Sequence, residues 1–183
     1  IPVFARVRSD HGDEAGWRLA SSVLNLVLLA TIVFGAAAFV LAPVIVPLLA
    51  PGLGEATGQE KELTALAVDL TRIMLLSPIL FAISGMFTGI LNARRHFVTP
   101  ALAPMFYNLS IIIAAQISTD VKVLAVAVVA GAALHLAVQL PDLRAAGMVY
   151  RFITGWKDRA VREVAALMAP RVLGLAAAQI NFY

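Results

Sequence analysis

From Leu19 to Leu49 the chain runs without a charged side chain, and Asn25 and Thr31 are the most polar members of the run. At 1.5 Å per residue it is longer than a hydrocarbon core of about 30 Å. A helix that is apolar on every face over such a length has no solvent-facing side, so its surroundings must be lipid or protein. Three further runs of the same kind follow, over residues 63–92, 99–117 and 121–140. An apolar share of 61% and a charged share of 14% sit far from the roughly 45–50% and roughly 25% of soluble domains. Strict alternation of apolar and polar residues is missing, which excludes barrel strands. The predicted fold is therefore all-α, a polytopic transmembrane helical bundle with four complete spans: 19–49, 63–92, 99–117 and 121–140.

Partial helices flank those spans. Ile1 to Phe4 reads as the tail of an earlier helix, and residues 171–183 as the start of the next span, too short against the roughly 20 residues a span needs. The chain thus reads as a fragment of a larger membrane protein. Between the polar ends, Trp17 sits where an interfacial aromatic anchor belongs. Pro43 and Pro47 are expected to end or kink the first span, and Gly35 to Ala38 offers a smooth patch for a neighbouring helix. Asp69 and Arg72, three apart, can face each other near the outer end of the second span and are expected to pair or to snorkel to the interface. Thr99 is placed to cap the third, with Pro100 at its first helical position. Residues 141–170 mix basic and apolar side chains, and from Asp158 to Met168 the spacing reads as a segment lying on the membrane face.

The basic residues collect in the gaps, which argues against nucleic acid as a partner despite a net charge of +3. If the four spans alternate, Arg6, Arg8, Arg18, Arg94, Arg95, Arg144, Arg151, Lys157, Arg159, Arg162 and Arg171 share one side, eleven of the fourteen Lys and Arg. The positive-inside rule makes that side cytoplasmic and 141–170 a cytoplasmic interfacial linker.

Several polar or small residues inside this frame are candidates for function. Gly85 and Gly89, flanked by Ser84 and Thr88, form a GxxxG helix-packing face. Arg94, Arg95 and His96, in the turn 93–97, read as topology determinants that contact anionic membrane lipids, with attraction of an anionic substrate as the sharper alternative. Asn108 is an amide at mid-depth that either bonds a neighbouring helix or holds a mobile one as a gate, and Pro104 would let that helix bend. His135 and Gln139 share a face at i and i+4 but lack an intramembrane carboxylate partner, so packing is the expected role. Catalytic and metal-binding motifs are absent from the sequence, as is cysteine.

The stretches WRLASSVLNL, LAPGL, LTRIMLLSPILFAISGMFTGILNARRHFVTPALAPMFYNLSII, LHLAVQLPDLRAAGMVYRF and VREVAALMAPRVLGLAAAQINF occur in this order. Together they resemble the lipid II flippase family (MurJ, also called MviN) of the multidrug/oligosaccharidyl-lipid/polysaccharide exporter superfamily. The resemblance implies a fourteen-helix protein of the bacterial cytoplasmic (inner) membrane, of which this chain is part of the N-terminal lobe. It implies transport of the undecaprenyl-pyrophosphate-linked peptidoglycan precursor, lipid II, by alternating access. No cofactor is implied beyond an ion gradient or membrane potential, and the protein is expected to be a monomer. The family's cavity arginines lie in its first, second and eighth helices, outside this chain. Gln179 and Asn181, at the start of helix seven, would line the central cavity. The alternatives are another polysaccharide-lipid or drug exporter of the superfamily, or a membrane enzyme acting on polyprenyl phosphates, against which the missing catalytic carboxylates count.

Overall fold

A computed structural model describes residues 2–55 and 58–180, and among them all regular structure is helical. The chain divides into two compact units: residues 1–26 with 147–183, and residues 27–146.

The first unit begins with helix α1 (Pro2–Leu49), which is broken at Gly12 (φ 87°, ψ 174°). That backbone region is open essentially to glycine alone. Its effect is visible in the packing. Phe4 and Trp17 meet edge to face with centroids 6.1 Å apart, whereas thirteen residues of straight helix would separate them by about 20 Å. Gly12 therefore turns the 2–11 arm back along the arm that starts at residue 13. Trp17 is 4% exposed; it is the centre of this small core and not the interfacial anchor its sequence position suggests. The unit also holds the loop 147–158 and helix α7 (Arg159–Ile180). α7 runs through Pro170 without a break.

The second unit is built around helix α5 (Val121–Ala137). Helices α2 (Glu60–Met74), α3 (Leu76–Ala93) and α4 (Val98–Ile117) all pack on it, and the short α6 (Leu140–Ala145) touches α3. The expected second span is thus two helices joined at Leu75. Pro78 explains the joint, since it has no N–H for the carbonyl of Met74. Pro141 acts in the same way on Ala137, where α5 ends. The turn at 118–120 is as short as expected, and Asp120 caps α5 by accepting from the Lys122 N–H at 2.8 Å.

Packing in this unit inverts the soluble pattern. Its buried residues are dominated by small ones, including Ala42, Ala103, Ala114, Ala125, Ala127 and Ala132, while Phe34, Val40, Leu48 and Ile117 stand more than 70% exposed. Small side chains inside and large apolar ones outside suit helices whose backbones approach closely in lipid.

Pro43 and Pro47 do not end α1, which stays helical to Leu49. Pro43 leaves the carbonyl of Phe39 without its helical donor, and Arg72 Nε donates to that oxygen at 3.2 Å. The same guanidinium lies 4.9 Å from the centroid of the Phe39 ring, a cation–π position. Arg72 is thus committed to α1, which corrects the expected pairing with Asp69.

Candidate functional site

The polar centre of the second unit lies between α3 and α5. Ser84 and Gln139 are fully buried. Gln139 Nε2 donates to Ser84 Oγ at 2.6 Å and to the His135 carbonyl at 3.0 Å, while Gln139 Oε1 accepts from Thr88 Oγ1 at 3.0 Å. Ser84 Oγ lies 2.6 Å from His135 Nδ1, and Phe81 meets the His135 ring edge to face at 5.4 Å. His135, near the end of α5, and Gln139, in the joint before α6, therefore meet an i, i+4 pair on α3. His135 and Gln139 have the packing role expected of them. Gly85, by contrast, has nothing within 4 Å of where a Cβ would lie. The α3 contact face is Ser84 and Thr88, and Gly85 is not part of it.

Close helix approach occurs elsewhere, between α4 and α5 at Gly131. A Cβ there would sit 2.8 Å from the carbonyl oxygen of Tyr107. One turn away, Ser110 Oγ donates to the Ala127 carbonyl at 2.9 Å. Ala127 and Gly131 are the small-xxx-small pair of this unit.

Asn108, on α4, is exposed, and the interhelical hydrogen bonds described above for this unit run through other residues. Pro104 is exposed on the same helix, which stays helical through it. Phe97, not Thr99, occupies the N-cap, without a side-chain bond. The Thr99 hydroxyl instead donates to Asp142 Oδ2 at 2.7 Å, and His96 Nδ1 lies 3.9 Å from the same oxygen.

The turn before α4 is closed by a Schellman pattern. The His96 N–H reaches the Leu91 carbonyl and the Arg95 N–H reaches that of Asn92. Arg95 occupies the left-handed position (φ 64°) where glycine is usual. Arg95 is exposed and Arg94 half-buried. Asn181 lies outside the described residues, as does the side chain of Gln179.

Sequence reasoning missed the main polar site of the first unit. Asn25 is 7% exposed. Its Nδ2 donates to the carbonyls of Arg151 and Ile153 at 3.2 and 2.8 Å, and its Oδ1 accepts from Tyr150 Oη at 2.6 Å. Ser21 Oγ accepts from the Arg151 N–H at 3.1 Å. The only available signal was three polar residues, Ser21, Ser22 and Asn25, on one face of an otherwise apolar run.

A groove of about 800 Å³ in the same unit is lined by Arg6, Arg18 and Arg159 and by Asp10, Asp158 and Glu163. Its charges offset one another. Arg6 and Glu163 pair there. Their hydrogen bond and then their mutual attraction hold the Glu163 carboxyl below its ordinary value of 4.5 and the Arg6 guanidinium above its own. A carboxyl lowered in the folded state contributes stability that is fully present above its unfolded value and is lost as pH falls through the folded one. Thermal melting followed from neutral pH down past 4.5 should therefore show a fall in stability that Glu163→Gln flattens. Parallel curves would remove the pair from the account.

Four helical stretches, Pro2–Leu49, Glu60–Ala93, Val98–Ile117 and Val121–Ala145, are long and apolar enough to cross a bilayer. With the inverted packing, they define a multi-pass α-helical membrane protein. The chain belongs to the lipid II flippase MurJ family, whose sequence model matches residues 1–183. It is 28% identical to the lipid II flippase MurJ of Burkholderia cenocepacia over 190 positions, covering 99% of this chain and 36% of that protein. A protein of Buchnera aphidicola named "probable lipid II flippase MurJ" is 30% identical, with the same coverage. A Vibrio cholerae protein of the same name is 33% identical over 66% of the chain and 23% of its own length. The chain thus spans about 36% of the length of the first two relatives. Membership also places it in the bacterial inner membrane.

Proposed function

We propose that this chain forms part of the N-terminal lobe of a flippase that carries a lipid-linked peptidoglycan precursor across the inner membrane by alternating access. The observation that carries this reading is the family match over the whole chain. The activity is transport and not bond-making chemistry, driven by an ion gradient or the membrane potential, by a protein acting as a monomer. The turn 93–97 and the loop 147–158 face the cytoplasm in this reading.

Within that frame Arg94 and Arg95 meet anionic headgroups or the approaching pyrophosphate. What supports this is the backbone of Arg95. That left-handed position, φ 64°, holds Arg95 exposed at the tip of the turn. Asn108 is a gate contact. Its support is its exposed position on α4, where an amide can bond a further helix across the membrane. Pro104, one turn earlier, lowers the cost of bending α4.

The test is Asn108→Ala in the full-length protein. An interhelical polar contact in a membrane averages about 0.6 kcal/mol, so precursor flipping should slow about threefold at unchanged membrane levels. Wild-type flipping in vesicles, together with full complementation of a depleted strain, would sink the gate assignment.

A further inference from the structure

We propose that residues 150–157 form a preorganised anchor that seats two aromatic rings in the headgroup layer of an anionic phospholipid surface. The surface rests on the protein's being embedded in a bilayer and not on what it transports.

The loop has no regular secondary structure, yet it is fixed. Asn25 uses both amide protons and its oxygen on it, through the Arg151 and Ile153 carbonyls and the Tyr150 hydroxyl. Ser21 takes the Arg151 N–H, and Arg151 Nη2 meets Glu14 Oε1 at 2.7 Å. Gly155 completes the seat. It sits at φ +48°, and a Cβ there would fall 2.5 Å from Ser22 Oγ, so only glycine lets the backbone lie this close to α1.

What the pinned loop presents is apolar. Phe152 is 88% exposed and Trp156 66%. Such rings are expensive to hold in water, and a loop fixed by five hydrogen bonds and a glycine contact holds them outward. Their level is also defined. Ser21 and Asn25 fall within the first seven residues after Arg18, so the loop lies against the first ~10 Å of the apolar run. That is the depth at which tryptophan and other amphipathic rings collect in membranes. Lys157 and Arg162 flank the rings, whereas Arg151 is paired with Glu14 and Arg159 lines the groove whose charges offset one another. Each basic residue near an anionic surface strengthens association about fivefold, which selects anionic over zwitterionic lipid. Trp17, the aromatic that sequence position nominates for this task, is buried and cannot perform it.

The 183 residues contain no cysteine, so nitroxide labels can be placed on Phe152→Cys, Trp156→Cys and Lys157→Cys one at a time. The full chain is reconstituted into vesicles of phosphatidylglycerol and phosphatidylcholine. Labels at 152 and 156 are expected to collide more with dissolved oxygen than with an aqueous nickel chelate, and the label at 157 the reverse. Replacing all phosphatidylglycerol by phosphatidylcholine should move 152 and 156 toward the chelate. Asn25→Ala should raise label mobility at 152 and lower its oxygen contact. Tyr150→Phe, which removes one hydroxyl and leaves the packing intact, should do the same to a smaller extent. Chelate-dominated signals at 152 and 156 in both lipids overturn the proposal. So does shielding from both reagents, which would mean that protein covers the rings, and so does an unchanged label in both pin variants.

Discussion

Gly131→Leu is expected to leave little folded protein, and Gly131→Ala to lower the melting temperature clearly. Even the smaller change places a Cβ 2.8 Å from the carbonyl oxygen of Tyr107, 2.9 Å from Tyr107 Cδ2 and 3.2 Å from Ser110 Cβ. The nearest of these atoms is backbone and cannot rotate away, so α4 and α5 must separate. Separation weakens the Ser110 to Ala127 hydrogen bond and the contact of the two most extensively packed helices in the unit. Overpacking of this kind costs about 1–3 kcal/mol for the smallest added group, and leucine adds three more carbons with nowhere to go. The control is Gly85→Ala, where nothing lies within 4 Å of the new atom. That change should be neutral, or stabilising by up to about 1 kcal/mol through helix propensity. Thermal unfolding in detergent, followed by size-exclusion profile, separates the two. Equal melting of the alanine variants at 131 and 85 would mean that the close approach does not exist.

The contrast between those glycines shows where the sequence is informative and where it is not. Both belong to a small-xxx-small spacing, Gly85 with Gly89 and Gly131 with Ala127. Spacing reports that a face is smooth. It does not report whether another helix lies on that face, because that depends on the rotation of each helix about its own axis. The same holds for polar residues. His135 and Gln139 were legible as one helical face and Ser84 and Thr88 as neighbours on α3, but their mutual contact is a matter of register. Spans were legible because length and apolarity decide them locally. Helix breaks were half legible. Pro78 and Pro43 each remove one N–H, yet only Pro78 stands at a break. At Pro43 the freed carbonyl finds Arg72, thirty-three positions away, and no local pattern announces such a donor. Gly12 was hidden for another reason: a glycine in a polar stretch does not reveal whether its φ is positive. The gate candidate Asn108 was legible as a polar residue in a span, whereas its exposure within this unit was not.

Gln139→Leu is expected to destabilise the second unit by about 2 kcal/mol, a large effect for a change that preserves bulk. Two magnitudes compete here. A buried polar group stripped of its partner costs about 1–3 kcal/mol, but single interhelical hydrogen bonds in membranes average only about 0.6 kcal/mol, because the unfolded helices also find partners in lipid. Gln139 differs from the average case in being fully buried and in serving Ser84, Thr88 and the His135 carbonyl at once. Its loss leaves Ser84 Oγ with His135 alone, and Thr88 with only its own helix to turn to. The shorter contacts also order the network. Gln139 donates to Ser84, and Ser84 Oγ lies 2.6 Å from His135 Nδ1, a contact whose direction follows the imidazole tautomer. The Ser84 hydroxyl also lies 3.3 Å from the His135 carbonyl, so His135 offers it two acceptors of which its single proton can serve one at a time. A double-mutant cycle with Ser84→Ala decides whether these groups act as a unit. Two residues sharing one network should couple by about 0.5–3 kcal/mol, so the double variant should be less destabilised than the sum of the singles. Strict additivity would show that α3 and α5 are held by packing alone.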